Sequence, residues 1–315
     1  MSDLKSVLVL AGGLSSEREV SLRSGSHVTQ ALRRAGIEAQ QRDADSTLLR
    51  DLAEDPPSVV LPLLHGAAGE DGTIKEILEL TGVPYVGAPP AACRAAFDKP
   101  TAKAAFSRAG LLTPTAVTLP QQAFHDLGAA ALTTHVLDRL GLPLFVKPRA
   151  GGSALGVSFV ETAEQLPLAL VSALGYHPEV LIEQSIQGTE IAVAVADIDG
   201  EPTALPAVEI DTEGLYDYNA RYTAGATTFH SPARLDARIA AEAGRVAVAA
   251  HRALGLRHLS RTDAIVTPGG EVHILETNVA PGMTRTSTYP IALEAAGYDF
   301  AAFLRGLATQ AISTR

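Results

Sequence analysis

Thiols are nearly missing from this chain: Cys93 is the single cysteine in 315 residues. That excludes an internal disulfide framework and any zinc site made mainly of thiolates. There is no Gly-Lys dipeptide, hence no P-loop, and no G-x-G-x-x-G follows a strand-like run. Every long apolar run is broken by charge or proline before the roughly 18–20 residues that a membrane span needs. A basic excess is also lacking, with 25 Lys+Arg against 35 Asp+Glu and a net charge of −10. Phosphate neutralisation needs a basic surface, so neither nucleic acid nor membrane is an expected partner. The first residues have no charged n-region or long apolar h-region, and a cytoplasmic location is expected. What is present is a globular composition. Hydrophobic residues make up 46%, and the 27 Gly and 19 Pro follow no period.

The order of patterns suggests an α/β class, with α+β character in the central and C-terminal parts. An apolar run at 7–11 ends in Gly12-Gly13, and a helix pattern follows over 17–35. Ser16 with Glu19 three residues on reads as its capping box. A second apolar run at 59–64, a helix at 70–81 and a short strand at 85–87 continue the rhythm of an open, mostly parallel sheet. A helical stretch from about 92 is interrupted at Pro100, and Gly110 closes the next. Strand patterns then fall at 144–147, 157–160, 180–184, 191–197 and 204–210, with one helix near 163–174. Asp199-Gly200 is a hairpin signal between the last two strands. The stretch 211–232 is long, aperiodic and rich in Tyr, Thr, Gly and Ala, the composition of a binding loop or lid rather than packed structure. A helix at 236–254, strands at 259–266 and 272–277, a Pro-Gly loop and two helices finish the chain. Three units are expected, at 1–95, 96–190 and 191–315.

Chemistry concentrates in a few places. The Gly12-Gly13 turn, at a helix N-terminus, suits either a ligand anion or a purely structural turn. Lysine is scarce, at positions 5, 75, 99, 103 and 147. Lys147 ends a strand just before the glycine-rich stretch 150–156, whose backbone N–H groups, with those of Gly152 and the Ser153 hydroxyl, can cradle phosphate oxygens. Further on, Arg261-Thr-Asp263 and Glu276-Thr-Asn278 each place two side chains on one strand face. Two carboxylates and an amide oxygen form a hard-oxygen set suited to Mg²⁺ bridging phosphates. A surface pair of Arg261 with Glu276 is the plainer alternative.

These residues together resemble the D-alanine–D-alanine ligases, ATP-grasp enzymes of bacterial peptidoglycan synthesis. The resemblance rests on His65-Gly…Gly69-Glu-Asp-Gly72, Asp98-Lys99, Val146-Lys-Pro…Gly-Ser…Gly156, Tyr216-Asp-Tyr…Arg-Tyr222 and Glu276-x-Asn…Pro-Gly282-Met-Thr, and runs from Gly12 to about Gly297. It implies a three-domain ATP-grasp architecture with an N-terminal open parallel α/β domain, and ATP between the central and C-terminal domains. It also implies Mg²⁺ or Mn²⁺, typically two ions, with D-alanine and ATP as substrates and a homodimer as the assembly. By position, Lys99 and Lys147 would contact the phosphates, as would Arg221 and the Gly152 loop. Glu183 and Ile186 would meet adenine, and Glu190 the ribose. Asp263, Glu276 and Asn278 would hold the metal. Glu17 would receive the first D-alanine's ammonium, while Arg261, Gly282 and Ser287 would bind the second carboxylate and the oxyanion. Ser153 and Tyr222 would link the loop over the site to Glu17.

The chain departs from the family pattern at several positions. Arg221 stands where a lysine precedes the loop tyrosine, Ala154 where a second serine is usual, Gln184 at a frequent lysine, and Thr288 where a larger apolar residue is common. The last keeps an alternative acceptor open, such as D-serine, D-lactate or another amine; a non-catalytic dinucleotide-binding protein is more distant. If 211–232 closes over bound nucleotide, trypsin should cut after Arg221 quickly in the free enzyme. Mg²⁺-ATP with a substrate-like inhibitor should then slow that cut; equal rates would remove the loop from the active site.

Overall fold

In the computed structural model the described residues are 4–212, 214 and 225–313. The N-terminal unit is a parallel three-stranded sheet in the order β2-β1-β3, from β1 (Ser6–Leu10), β2 (Glu38–Arg42) and β3 (Val59–Pro62). β1 and β3 are continuous apolar runs because helices cover them. β2, with the sequence EAQQR, is a polar edge that shows no apolar alternation and escapes detection by pattern. The helix Arg18–Arg34 crosses from β1 to β2 and buries Ser21, Ser24, Gly25, Val28, Thr29 and Leu32. The Ser16–Glu19 capping box does not form. Residues 15–17 are spent in a turn, with Arg18 N donating to Ser15 O and Glu17 N to Ser15 Oγ, so the helix starts late and without a side-chain cap.

The helix expected at 70–81 is two, Ala67–Glu70 and Thr73–Thr81. Gly72 separates them at φ 88°, and a Cβ there would lie 2.5 Å from Pro90 O. Tyr85 makes only an isolated parallel bridge to Val60.

A four-stranded antiparallel sheet follows, ordered β4-β7-β5-β6 from β4 (Ala116–Pro120), β5 (Leu144–Pro148), β6 (Ser158–Val160) and β7 (Glu179–Gln184). Two helices between β4 and β5, Gln121–Leu127 and Ala129–Leu140, carry little periodic signal. The first buries no side chain and the second only Val136 and Leu140.

The third sheet is ordered β11-β10-β8-β12-β13, with β9 also on β8. Its strands are β8 (Thr189–Ile198), β9 (Glu201–Ala204), β10 (Val208–Thr212), β11 (Thr227–His230), β12 (Leu259–Val266) and β13 (Val272–Asn278). Asp199 and Gly200, both at positive φ, make the β8–β9 hairpin. The single strand expected at 204–210 is broken around Pro206, which has no N–H for the ladder. The ends of the stretch expected to be aperiodic at 211–232 are not loop: β10 and β11 pair antiparallel, Thr212 opposite Thr227. Arg221 and Tyr222 lie outside the described residues.

Packing crosses the linear order of the units. The helices Thr288–Ala295 and Phe300–Ser313 put Tyr289, Leu293, Phe303 and Leu307 into one core with Val7, Val9 and Val28 of the first unit. The helices Pro90–Phe97 and Lys99–Arg108 pack Cys93, Ala102 and Phe106 against Ile191, Val193 and Ile274 of the third sheet. Asp98 caps the second of these by accepting from Thr101 N (3.0 Å), and Arg149 Nε donates to its other oxygen (2.5 Å). The N-terminus of the helix that presents Lys99 and Lys103 is thus held through both oxygens of Asp98. Phe106 is fully buried, and Phe106→Ala should cost about 3–5 kcal/mol, measured by urea denaturation.

Candidate active site

One cleft of about 270 Å³ opens where the three sheets meet, and its walls come from every part of the chain. Glu17, at the start of the first helix, is buried and accepts a hydrogen bond from Ser153 Oγ of the glycine loop. The loop backbone turns sharply here, with Ser153 at φ 48° and Ala154 at φ 56°. Non-glycine residues pay conformational strain in this region. Gly152 and Gly66 both press on the Glu17 carboxylate, since a Cβ on either would come within 3.0 Å of Oε2. The Gly12-Gly13 turn holds no outside ligand position: Asp43 fills it, accepting from Gly13 N (2.7 Å) and pairing with Arg18 (2.6 Å). The anion suited to that turn is the protein's own.

Across the cleft, β12 and β13 pair in a register that sets Arg261 opposite Asn278 and Asp263 opposite Glu276. A bulge follows at Asp263/Ala264. Arg261 forks onto its neighbour on the same strand, with Nε and Nη2 each 2.7 Å from an oxygen of Asp263. That fork orients the guanidinium, as bidentate arginine–carboxylate pairs do. Asn278 Oδ1 accepts from Ala280 N (2.9 Å), which steers the chain into the Pro281-Gly282 turn. Gly282 approaches Ser287 so closely that a Cβ would lie 2.8 Å from its Oγ. Ser287 Oγ accepts from Thr284 N (3.1 Å), and Thr288 lines the same wall.

Among the described residues no cluster of three His, Cys, Asp or Glu is gathered for a metal. Asp263, Glu276 and Asn278 instead offer two carboxylates and one amide, all hard oxygen donors. Each oxygen already in a hydrogen bond keeps a further lone pair. This set fits a divalent cation that takes its remaining ligands from a phosphate substrate.

The lysines stand at the far end. Lys99 Nζ donates to Gly151 O (2.9 Å) and lines the cleft. Burial holds its ammonium below the ordinary lysine range, opposed by the charge of Glu276. Lys147 Nζ lies 2.5 Å from Glu183 Oε1, and Lys103 Nζ 2.7 Å from Oε2. Burial alone would raise the Glu183 carboxyl, but Lys147 and Lys103 outweigh it and hold the group below its usual range. Lys147, Glu183, Glu190 and Ile186 are not part of the cleft wall. Glu190, half-buried on β8, nonetheless acts electrostatically on Lys147, and Ile186 lies half-buried in the link from β7 to β8.

Two groups with no role assigned from sequence sit inside the wall. His65 and Glu70 are both buried, with His65 Nδ1 3.9 Å from Glu70 Oε1. Burial, the larger effect, and the nearby Glu17 charge push the Glu70 carboxyl up to about 8. Burial drives the His65 imidazole down to about 4, so it is neutral at pH 7. Their five-residue separation matches neither helix nor strand period. The chain folds back at Gly66, and Gly69 lets it pass where a Cβ would lie 1.9 Å from Leu64 O. The motif run 65–72 held the signal, but only the turn joins its two ends.

Three sheets around a cleft lined by Lys99, hard-oxygen donors and an oriented arginine define a ligase of the ATP-grasp class. Family models described as the D-ala D-ala ligase C-terminus and N-terminus match residues 105–309 and 37–88. A D-alanine–D-alanine ligase of Pelotomaculum thermopropionicum is 39% identical, covering 93% of this chain and 92% of its own length. The crystal structure of D-alanyl-alanine synthetase A from Vibrio cholerae superposes with a TM-score of 0.86 at 27% identity, covering 99% of each chain. A Bacillus anthracis D-alanine–D-alanine ligase complexed with ATP gives 0.81 at 27% identity, covering 98% of each. The chain belongs to the D-alanine–D-alanine ligase family.

Glu70 supplies a pH signature. Unfolded, it ionises near its ordinary value of 4.5; folded, it keeps its proton to about 8. Between these values the native state binds one more proton than the unfolded state, so this group lowers stability as pH rises. Glu70→Gln should flatten that slope by up to about 1.4 kcal/mol per pH unit. Urea midpoints at pH 5 and pH 8, compared between wild type and variant, measure it.

Proposed function

We propose that the chain joins two D-alanine molecules to D-alanyl-D-alanine with ATP, giving ADP and phosphate, for peptidoglycan precursors. The single observation that carries this reading is the cleft itself. It brings Glu17, Lys99, Arg261, Glu276, Asn278, Gly282 and Ser287 around one space from segments up to 270 residues apart. Glu17, held by the hydroxyl of Ser153, would receive the ammonium of the first D-alanine. The carboxylate of that D-alanine attacks the γ-phosphorus, ADP leaves, and an acyl phosphate forms. Lys99, Lys147 and the glycine loop offset charge on the moving phosphoryl group, a task of positioning and electrostatics. The amine of the second D-alanine then attacks the acyl carbon. The Gly282 N–H and Arg261 hold the developing oxyanion, and Ser287 with Arg261 holds the second carboxylate. Phosphate leaves as the amide forms and the attacking nitrogen gives up its proton.

Asp263, Glu276 and Asn278 are the residues that would hold Mg²⁺ or Mn²⁺. When bound, the ion supplies positive charge to the phosphate oxygens. Glu183 and Ile186 would meet the base and Glu190 the ribose, while Arg221 and Tyr222 keep only the roles that the family resemblance implies. The chain would divide into three units at about 95 and 190, with its last two helices returning to the core of the first.

An assay of ADP release with and without D-alanine tests the activity: turnover should depend on D-alanine, and ATP hydrolysis indifferent to it would sink the proposal. Glu276→Gln removes one anionic metal ligand. It should lower turnover at ordinary Mg²⁺ by about 10²-fold or more while leaving the thermal melt unchanged. Wild-type turnover in the variant would take Glu276 out of the metal site.

A further inference from the structure

Lys103 has no part in the reading above, and its side chain does not line the cleft. It is nevertheless buried, on the same helix as Lys99 and one turn along from it. Its ammonium donates to Glu183 Oε2 (2.7 Å) and to Thr113 Oγ1 (2.8 Å). Thr113 Oγ1 in turn donates to Ile274 O of β13 (2.9 Å). Lys103 therefore ties together the helix of Lys99, strand β7 of the central sheet and strand β13 of the third sheet. Glu183 is almost wholly buried, at 1% exposure, and its other oxygen meets Lys147.

We infer that Lys103 is a positioning residue that serves as the counter-ion of Glu183 and so leaves the charge of Lys147 to a phosphate. The inference rests on the proposed contact of Lys147 with ATP. Two ammoniums and one carboxylate leave this buried group with an excess positive charge, suited to one more anion. Without Lys103, Glu183 and Lys147 would form a closed neutral pair. Glu190 and Glu276 also draw on Lys147, so a third carboxylate with no cation of its own would leave little attraction for a phosphate. A buried ion pair is costly to assemble, and its value here lies in which charge it satisfies and which it leaves available. The bond to Thr113 fixes the ammonium on the Oε2 side, away from Lys147. A structural clip alone would need the lysine's reach; the charge-balance role needs its charge to match that of Glu183.

That distinction gives the test, in steady-state kinetics with ATP and D-alanine varied separately. Lys103→Met keeps the length and removes the charge. It should lower kcat/KM for ATP by about 10- to 100-fold, mainly through KM, and leave the KM for D-alanine unchanged. Glu183→Gln removes the charge that Lys103 balances while keeping an acceptor oxygen. The double variant Lys103→Met with Glu183→Gln should recover to within about threefold of Glu183→Gln alone, since the two sites are coupled. Wild-type ATP kinetics in Lys103→Met, or a double variant more than about threefold below Glu183→Gln alone, would overturn the inference. If Lys103→Met gives no folded protein, the double variant against Glu183→Gln decides by the same criterion. Lys147→Met separates this from the underlying reading. An unchanged ATP KM there would remove Lys147 from the phosphate site, and the inference with it. A weakened Lys147→Met beside an unaffected Lys103→Met would overturn the inference alone.

Discussion

A carboxylate held between two ammoniums, out of water, is the interaction on which the lysine end of the molecule's cleft region depends. Glu183 reaches from the central sheet, Lys103 from the helix packed on the third sheet, and Lys147 from the strand beside Glu183. Taking any one of these charges into a low-dielectric interior is costly unless its partners are already in place. The arrangement therefore forms only when both sheets have found each other. It makes the correct docking of the central and third sheets a condition for burying the charges, and the burial in turn holds the lysines where a polyanion can meet them. An acidic protein needs such a local reserve of positive charge, because its overall field repels a nucleotide.

The opposite end of the cleft relies on backbone geometry more than charge. β12 and β13 bring Asp263 and Glu276 face to face. The fork of Arg261 on Asp263 holds the guanidinium between the oxygen-donor set and the Gly282 turn. The turn is held from two sides, by Asn278 through Ala280 N and by Ser24 Oγ, which accepts from Met283 N (3.2 Å). His27 Nδ1 donates to Met283 O (2.7 Å). The first helix, which carries Glu17, thus also anchors the turn. A displacement of that helix would be felt at both proposed amino-acid positions.

This coupling follows from how the chain ends. The last two helices return to the first sheet and share its core, and Tyr289 Oη donates to Val195 O of the third sheet (2.9 Å). Residues 257 and 258 hold Gly87 by both its polar groups: Arg257 Nε donates to its carbonyl, and His258 Nδ1 accepts from its N–H, each at 2.9 Å. His258 adopts φ 67° to do so, a conformation that ordinarily favours glycine. The first and third units are thus joined by both apolar packing and a two-point backbone clamp.

Local chemistry in the sequence was enough for the parts whose physics is local. The apolar runs of β1, β3, β8 and β12, the Asp199-Gly200 hairpin and the helix interruption near Pro100 are all set by periodicity and turn residues within a few positions. The same-face placement of Arg261 with Asp263, and of Glu276 with Asn278, follows from the two-residue repeat of a strand. The polar edge strand β2 and the weakly buried helices before β5 were illegible because neither has an apolar face to read. Only the tertiary structure could show that Arg261 turns to Asp263, that Asp43 fills the Gly13 turn, and that His65 and Glu70 share one buried pocket. Only it could place Lys103 with Glu183, 80 residues away. Each of these depends on which charge finds which partner once water is excluded. That choice is made by the packing of distant segments, and no spacing along the chain encodes it.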